Sequence, residues 1–504
     1  MHARTLTHVA AVLAGAVLLA TPALLAGHPS VFPDTSAYEL VGQWLAERAG
    51  LAIHGGYGYL KHRADLGLFF TIAGARSPFY GLLLFGLAIW GSAWTVVALQ
   101  ALAGGALVWV TMKAMLGEAR TPAFLGVVCV LTAASTLPFF VSFVMPDVFA
   151  GYAVLSALLL CFYPDRLSSH ERVALVVLLA ASLSFHATNP PMAALIVILG
   201  AAAAGLRLVP TRPAVAGLGL ATAALLAALA AGALYAPTVS ALAHRQLARP
   251  PFLTARLLAD GPGRTYLRRA CAADPQSWAL CPFKDRPLTD ANDILWHEGP
   301  TGVFEVGDLA TRLAMIRQEP AFVRAVLRSD PIGVIVRLVG NSAYELTQVT
   351  VVDTLGYADT SLVSKGPRFS PPSPSATFCV RQPRYCHATR FQTGWDAAIT
   401  AGVLIALGYL ALRLVATGWR RLRARIAPLS PRSAAAAAAM LVVVAANGIL
   451  CGAVSGVYPR YEMRMIWLIP LMAALSWLGE RRGRASVDVV KASAFSAAAA
   501  STAD

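Results

Sequence analysis

Apolar runs of about 20 residues recur along this chain, and a bilayer's hydrocarbon layer needs about that length of helix to be crossed. They lie near 8–27, 78–94, 95–116, 122–144, 147–164, 171–187, 190–208, 213–236, 395–417, 433–457 and 464–479. A soluble chain cannot hide so many in ordinary cores. Only 13% of the 504 residues are charged, about half the usual share, and the mean hydropathy is +0.61. The expectation is an all-α polytopic membrane protein. The segment SPFYGLLLFGLAIWGS is short and interrupted by glycine. It reads as a re-entrant or interfacial piece, which leaves about ten transmembrane helices.

The formal net charge of +15 does not point to nucleic acid. Its clusters, Arg420, Arg421, Arg423 and Arg425 in GWRRLRAR and Arg481, Arg482 and Arg484 in GERRGR, abut apolar runs. Positive charge beside the inner ends of spans produces that pattern, and no RNA- or DNA-binding motif is visible. With the N-terminus inside, KAMLGEART, YPDRLSSHER, GLRLVPTRP and both arginine clusters all fall inside. Asp34, Asp147, the His186–Pro191 stretch and Arg460 then share the outer face. The first run, ending near ATPALLAG, resembles a signal peptide but reads as a retained helix, because no clean cleavage site precedes a soluble domain.

Four regions follow: 1–236, a transmembrane module with an outer loop at 28–77; 237–394, a long extracytoplasmic segment expected to be of mixed structure; 395–480, C-terminal transmembrane helices; and 481–504, a cytoplasmic tail. Within the outer segment, Phe322, Val326, Ile332, Val336 and Leu338 are spaced like one apolar helix face interrupted at Pro331. Such a helix could lie on the bilayer, cover an active site or simply pack on its domain. Cys129, Cys161 and Cys451 sit in apolar spans and read as packing residues. Cys271, Cys281, Cys379 and Cys386 all fall in the outer segment, where Cys271–Cys281 and Cys379–Cys386 are the expected disulfides. A four-cysteine zinc site lacks CxxC spacing.

Two acids at the mouths of outer-face helices form a candidate catalytic pair. Asp34 stands in VFPDTSAY and Asp147 in FVMPDVF; one can act as general base while the other positions it or a metal. Asp147 could equally be an ordinary helix cap. His186, in LSFHATNPP, could donate to a phosphate oxygen or merely snorkel to the interface. Arg460 and Arg464, in VYPRYEMRM, lie outside against the positive-inside bias, and phosphate is the natural partner of a guanidinium. Lys61, Arg63 and Arg76 are further cations of the first outer loop.

PDTSAY, RSPFYGLLL, ALQALAG, the PD of FVMPDVF, the TNPP turn and the late PRY together resemble the GT-C superfamily of membrane glycosyltransferases. The similarity is to bacterial relatives of protein mannosyltransferases and aminoarabinose transferases, over about the first 210 residues and the final two spans. It implies a GT-C-like fold in a bacterial inner membrane, with both termini cytoplasmic and a periplasmic active site. It also implies a polyprenyl-phosphate-linked sugar donor and a glycan, lipid or protein acceptor, with Asp34 and Asp147 catalytic. Arg460 and Tyr461 carry over as its Arg-Tyr pair. Thr35 stands where a second carboxylate would be expected, so a divalent metal stays open. The alternatives are a transporter or flippase of lipid-linked glycans, whose ionisable groups would sit near the bilayer midplane, and a non-catalytic membrane scaffold.

Overall fold

A computed structural model describes residues 2–27, 29–30, 33–50, 74–90, 93–243, 247, 249–297, 299–351, 390–419 and 428–482. The described chain is helical; its only β pairing is an isolated parallel bridge between Ser30 and Phe143. The described part of the outer segment is therefore helical too, in place of the mixed structure expected there.

Among the described residues, four helices are long and apolar enough to cross a membrane: Ala93–Leu116, Thr211–Leu242, Gly394–Gly418 and Pro431–Val454. Ten crossings were expected, and the difference has local causes. The 8–27 run breaks at Ala20, where Pro22 starts a second short helix after His2–Leu19. The 122–144 run divides into Thr121–Ala134 and Leu137–Val141 at Ser135 and Thr136. Val148–Phe162 has 15 residues, a rise of about 22 Å against about 30 Å of hydrocarbon. Hydropathy merges helices with the apolar turns between them; backbone geometry separates them.

Among the described residues two hydrophobic cores form. The larger joins His2–Leu19, Ala93–Leu116, Thr121–Ala134, Val148–Phe162, Pro431–Val454 and the helical residues 468–482. Val148–Phe162 is buried along its whole length, which makes it the central post. The smaller core gathers residues 255–334 around Leu258, Leu267, Phe304, Phe322 and Val326. Cys271 and Cys281 are joined by a disulfide within it; Cys379 and Cys386 lie outside the described residues. The apolar face expected across Pro331 is split. Phe322 and Val326 are buried in this core, whereas Ile332 and Val336 are exposed, because Asp330 ends one helix and Pro331 begins another.

Charged side chains at helix ends pair at one end of the molecule. Lys113 meets Glu171 at 2.7 Å, Arg432 meets Asp165 at 3.0 Å, and Arg482 meets Glu118 at 3.4 Å. Ala93–Leu116 and Val148–Phe162 lead from this end to the opposite one, where the candidate site lies.

Candidate functional site

Asp34 lies in the first turn of the Pro33–Arg48 helix, inside what the sequence suggested was a loop. Two tethers bring that turn beside Asp147. Ser30 exchanges backbone hydrogen bonds with the chain at Ser142 and Val144, both 2.9 Å. One residue after Asp34, the Thr35 hydroxyl donates to the Val144 carbonyl at 2.9 Å. Thr35, which stood in place of a second acid, thus pins one acid-bearing segment to the other.

Arg76 is placed by two further contacts. The Pro33–Arg48 and Pro78–Trp90 helices cross where Gly42 faces Gly81, and a Cβ at Gly81 would come within 2.6 Å of the Tyr38 carbonyl. Ser77 donates to the Ser184 carbonyl at 2.6 Å, fixing the chain next to Arg76 against the end of the Ser169–Phe185 helix, just before His186. The remaining wall is the Pro459–Ile466 helix. It is held by Thr136 donating to the Met463 carbonyl and by Asn447 donating to the Tyr461 carbonyl, both at 2.6 Å.

Three segments therefore meet at one carboxylate. Asp34 Oδ1 accepts from Arg76 Nη2 at 2.5 Å, and Asp34 Oδ2 lies 3.5 Å from Arg460 Nη2. All three side chains keep a partial opening to the outside, between 15% and 22% of their surface. Burial alone would raise the Asp34 carboxyl; Arg76, then Arg460, overcome it and hold the group below the usual carboxylate range. Trp296 sits over Arg76, 5.7 Å from ring centre to guanidinium carbon.

Behind this opening lies a buried second layer. Asp147 stands at the cap position of Val148–Phe162 but makes no capping bond; its carboxylate faces Arg464 at 3.7 Å. The cap alternative is thereby removed. Arg464 is fully buried and donates through Nη2 to Thr188 Oγ1 at 2.9 Å, Asn447 Oδ1 at 3.0 Å and Cys451 Sγ at 3.5 Å. Cys451 thus belongs to a polar network and is more than a packing residue. Asp147 Oδ1 and the Nε and Nη1 of Arg464 have no hydrogen-bond partner.

A guanidinium can only donate, so Thr188 Oγ1 accepts from Arg464 and gives its own proton to His186 Nδ1, 2.8 Å away. The Thr188 backbone N–H also points at Nδ1, at 3.3 Å. Burial first, then Arg464, Arg460 and Arg76, push His186 well below its ordinary value. His186 is therefore a neutral imidazole with its proton on Nε2, able to donate one hydrogen bond. Tyr461 lies between the two arginines, its ring 5.3 Å from each guanidinium carbon, and its hydroxyl accepts from Ser455 at 3.3 Å. Its ring stands between like charges.

The sequence-derived residues Asp34, Arg76, Asp147, His186, Arg460 and Tyr461 thus converge; Lys61 and Arg63 lie outside the described residues. Sequence reasoning missed Arg464 as the partner of Asp147, along with Thr188, Asn447, Trp296 and the buried acids Glu345 and Glu462. Asn447 inside an apolar run was the one available signal. Among the described residues no group of three or more His, Cys, Asp or Glu could hold a metal ion. The site's three arginines exceed its two aspartates by one positive charge, which suits a monoanion. An apolar cavity of about 560 Å³ lies elsewhere, between Thr121–Ala134, Gly394–Gly418 and residues 468–482, and contains none of these polar groups. No family model, no curated protein and no solved structure matches this chain.

Proposed function

We propose that this protein is a membrane glycosyltransferase that moves a sugar from a polyprenyl-phosphate-linked donor to a hydroxyl acceptor at the end of the molecule bearing Asp34. The observation that carries this reading is the half-open recess in which Arg76 and Arg460 share one carboxylate, with one positive charge in surplus. A lipid-linked sugar phosphate is a monoanion delivered at a membrane surface, and bidentate guanidinium donors match its oxygens. Asp34 takes the acceptor's proton as its oxygen attacks the anomeric carbon. Arg76 and Arg460 stabilise charge on the departing phosphate, and His186 adds a neutral donor through Nε2. Asp147 holds Arg464, and through Thr188 that pair fixes the imidazole.

The reading includes a periplasmic site in a bacterial inner membrane, with both termini on the cytoplasmic side. A divalent metal is not needed for these steps. The Asp34→Asn variant should insert normally yet lose transfer by about a hundredfold or more, the scale of a general base. The check compares glycans and glycolipids of cells carrying the variant, the wild type or a deletion. A wild-type profile from Asp34→Asn overturns the assignment.

A further inference from the structure

We propose that Asp34 is a masked base, and that the donor's own phosphate unmasks it by drawing Arg76 and Arg460 off the carboxylate. This inference rests on the glycosyl-transfer reading above and adds a substrate-triggered order to it.

Each oxygen of Asp34 is claimed by a different guanidinium, Oδ1 by Arg76 at 2.5 Å and Oδ2 by Arg460 at 3.5 Å. A carboxylate held this way is stabilised as the anion and is a poor proton acceptor. A phosphodiester offers the same chemistry to the same donors: acceptor-only oxygens, negative charge and a geometry that fits the guanidinium fork. Two anions cannot both hold the same N–H groups, so phosphate and Asp34 compete for them. Arg76 is equipped for the exchange. Its buried Nε has no hydrogen-bond partner, so an incoming oxygen can engage Arg76 there first and then take Nη2, the one Arg76 donor that Asp34 holds. Trp296 supports the face of its guanidinium whichever anion holds the edge.

The cycle then balances. Phosphate takes the arginines, and Asp34, now less stabilised as an anion, gains affinity for a proton. The acceptor oxygen forms its bond to the anomeric carbon, and its proton passes to Asp34. The bond from the anomeric carbon to the phosphate oxygen breaks, the electron pair staying with that oxygen against Arg76 and Arg460. When the lipid phosphate leaves, the arginines return to Asp34 and its proton is released to water. Without donor in place the base stays quenched.

The test uses farnesyl methyl phosphate, a diester whose single negative charge does not change between pH 4 and 9, and the full chain in an uncharged detergent. Asp34→Asn frees both arginines, so it should bind the diester about tenfold more tightly than wild type, the scale of one charge-assisted hydrogen bond. The same substitution abolishes transfer, so binding and activity move in opposite directions. In the wild type the affinity should rise as pH falls from 7 to 4, with proton uptake seen by calorimetry in buffers of different ionisation enthalpy. In Asp34→Asn the affinity should be flat. The wild-type calorimetry needs no variant and so does not depend on Asp34→Asn folding. Wild-type binding without proton uptake, or equal or weaker binding by Asp34→Asn, overturns the masked base but leaves a phosphate site. No binding by either protein overturns the phosphate reading as well.

Discussion

At the scale of single residues, the molecule spends its buried charge on fixing other side chains. Asp147 and Arg464 are almost wholly buried and 3.7 Å apart, an arrangement that seldom adds stability by itself. Its consequence is geometric: Arg464 orients Thr188, and Thr188 orients His186. Beside it, Glu345 accepts from the Tyr458 backbone at 2.9 Å, and Glu462 accepts from Asn447 at 3.4 Å. Burial pushes Glu345 up to about 7, with Arg464 and Arg256 opposing, and pushes Glu462 up to about 8, with Glu345 adding to the rise. Both acids therefore keep protons in the folded chain that they would lose when unfolded. Their contribution to stability is greatest below about pH 4.3, the unfolded glutamate value, and is lost as pH rises through 7 to 8. Thermal melts in detergent should show a lower midpoint at pH 8.5 than at pH 5, and Glu462→Gln should flatten that dependence. An unchanged slope would show that the pair is ionised in the fold.

At the scale of elements, glycines set how closely the site's helices approach. Gly42 and Gly81 let Pro33–Arg48 and Pro78–Trp90 cross in backbone contact, which is what carries Arg76 to Asp34. Gly452 does the same for Pro431–Val454 against Pro331–Leu346, where Ser342 donates to the Ile449 carbonyl at 3.1 Å. Gly81→Ala would place a methyl group against the Tyr38 carbonyl and force the first pair apart. Transfer should fall at least tenfold while the far-ultraviolet helical signal is retained, since a displacement of about 1 Å at a reacting group costs that much or more. Wild-type activity in Gly81→Ala would mean that the crossing does not set the Asp34–Arg76 distance. The apolar run containing Gly81 was visible in the sequence. Its role as a crossing point was not, because closeness depends on which helix arrives opposite.

At the scale of the whole molecule, two cores meet at the recess. The larger holds the acids and the late arginines, and the smaller brings Trp296 over Arg76. The smaller core is closed by the Cys271–Cys281 disulfide across a separation of 10 residues. Removing that bond with Cys271→Ser/Cys281→Ser should cost roughly 2–3 kcal/mol, the value for a short loop. Limited proteolysis should then cut within residues 252–346 sooner, while residues 93–243 stay protected. Equal cleavage rates would show that the bond contributes nothing to this core.

Sequence alone determined the helical, membrane-type class, the clustering of polar groups at one end and most of the recess's titratable residues; it marked Cys271 and Cys281 as disulfide candidates, and the structure fixed their pairing. Those follow from hydropathy, charge placement and short-range spacing, which any chain carries on its face. Tertiary structure decided the number of long apolar helices, because proline and polar turns cut runs that hydropathy joins. It also decided the partnerships: Asp34 with Arg76 and Arg460, and Asp147 with Arg464 in place of a helix cap. Those pairs are separated by as many as 426 positions in a chain of 504, and an electrostatic pairing is set by distance in space, which spacing along the chain does not encode. The PDTSAY stretch shows the division: its acid could be picked out by composition, but only the fold showed that the threonine beside it ties that acid to the second one.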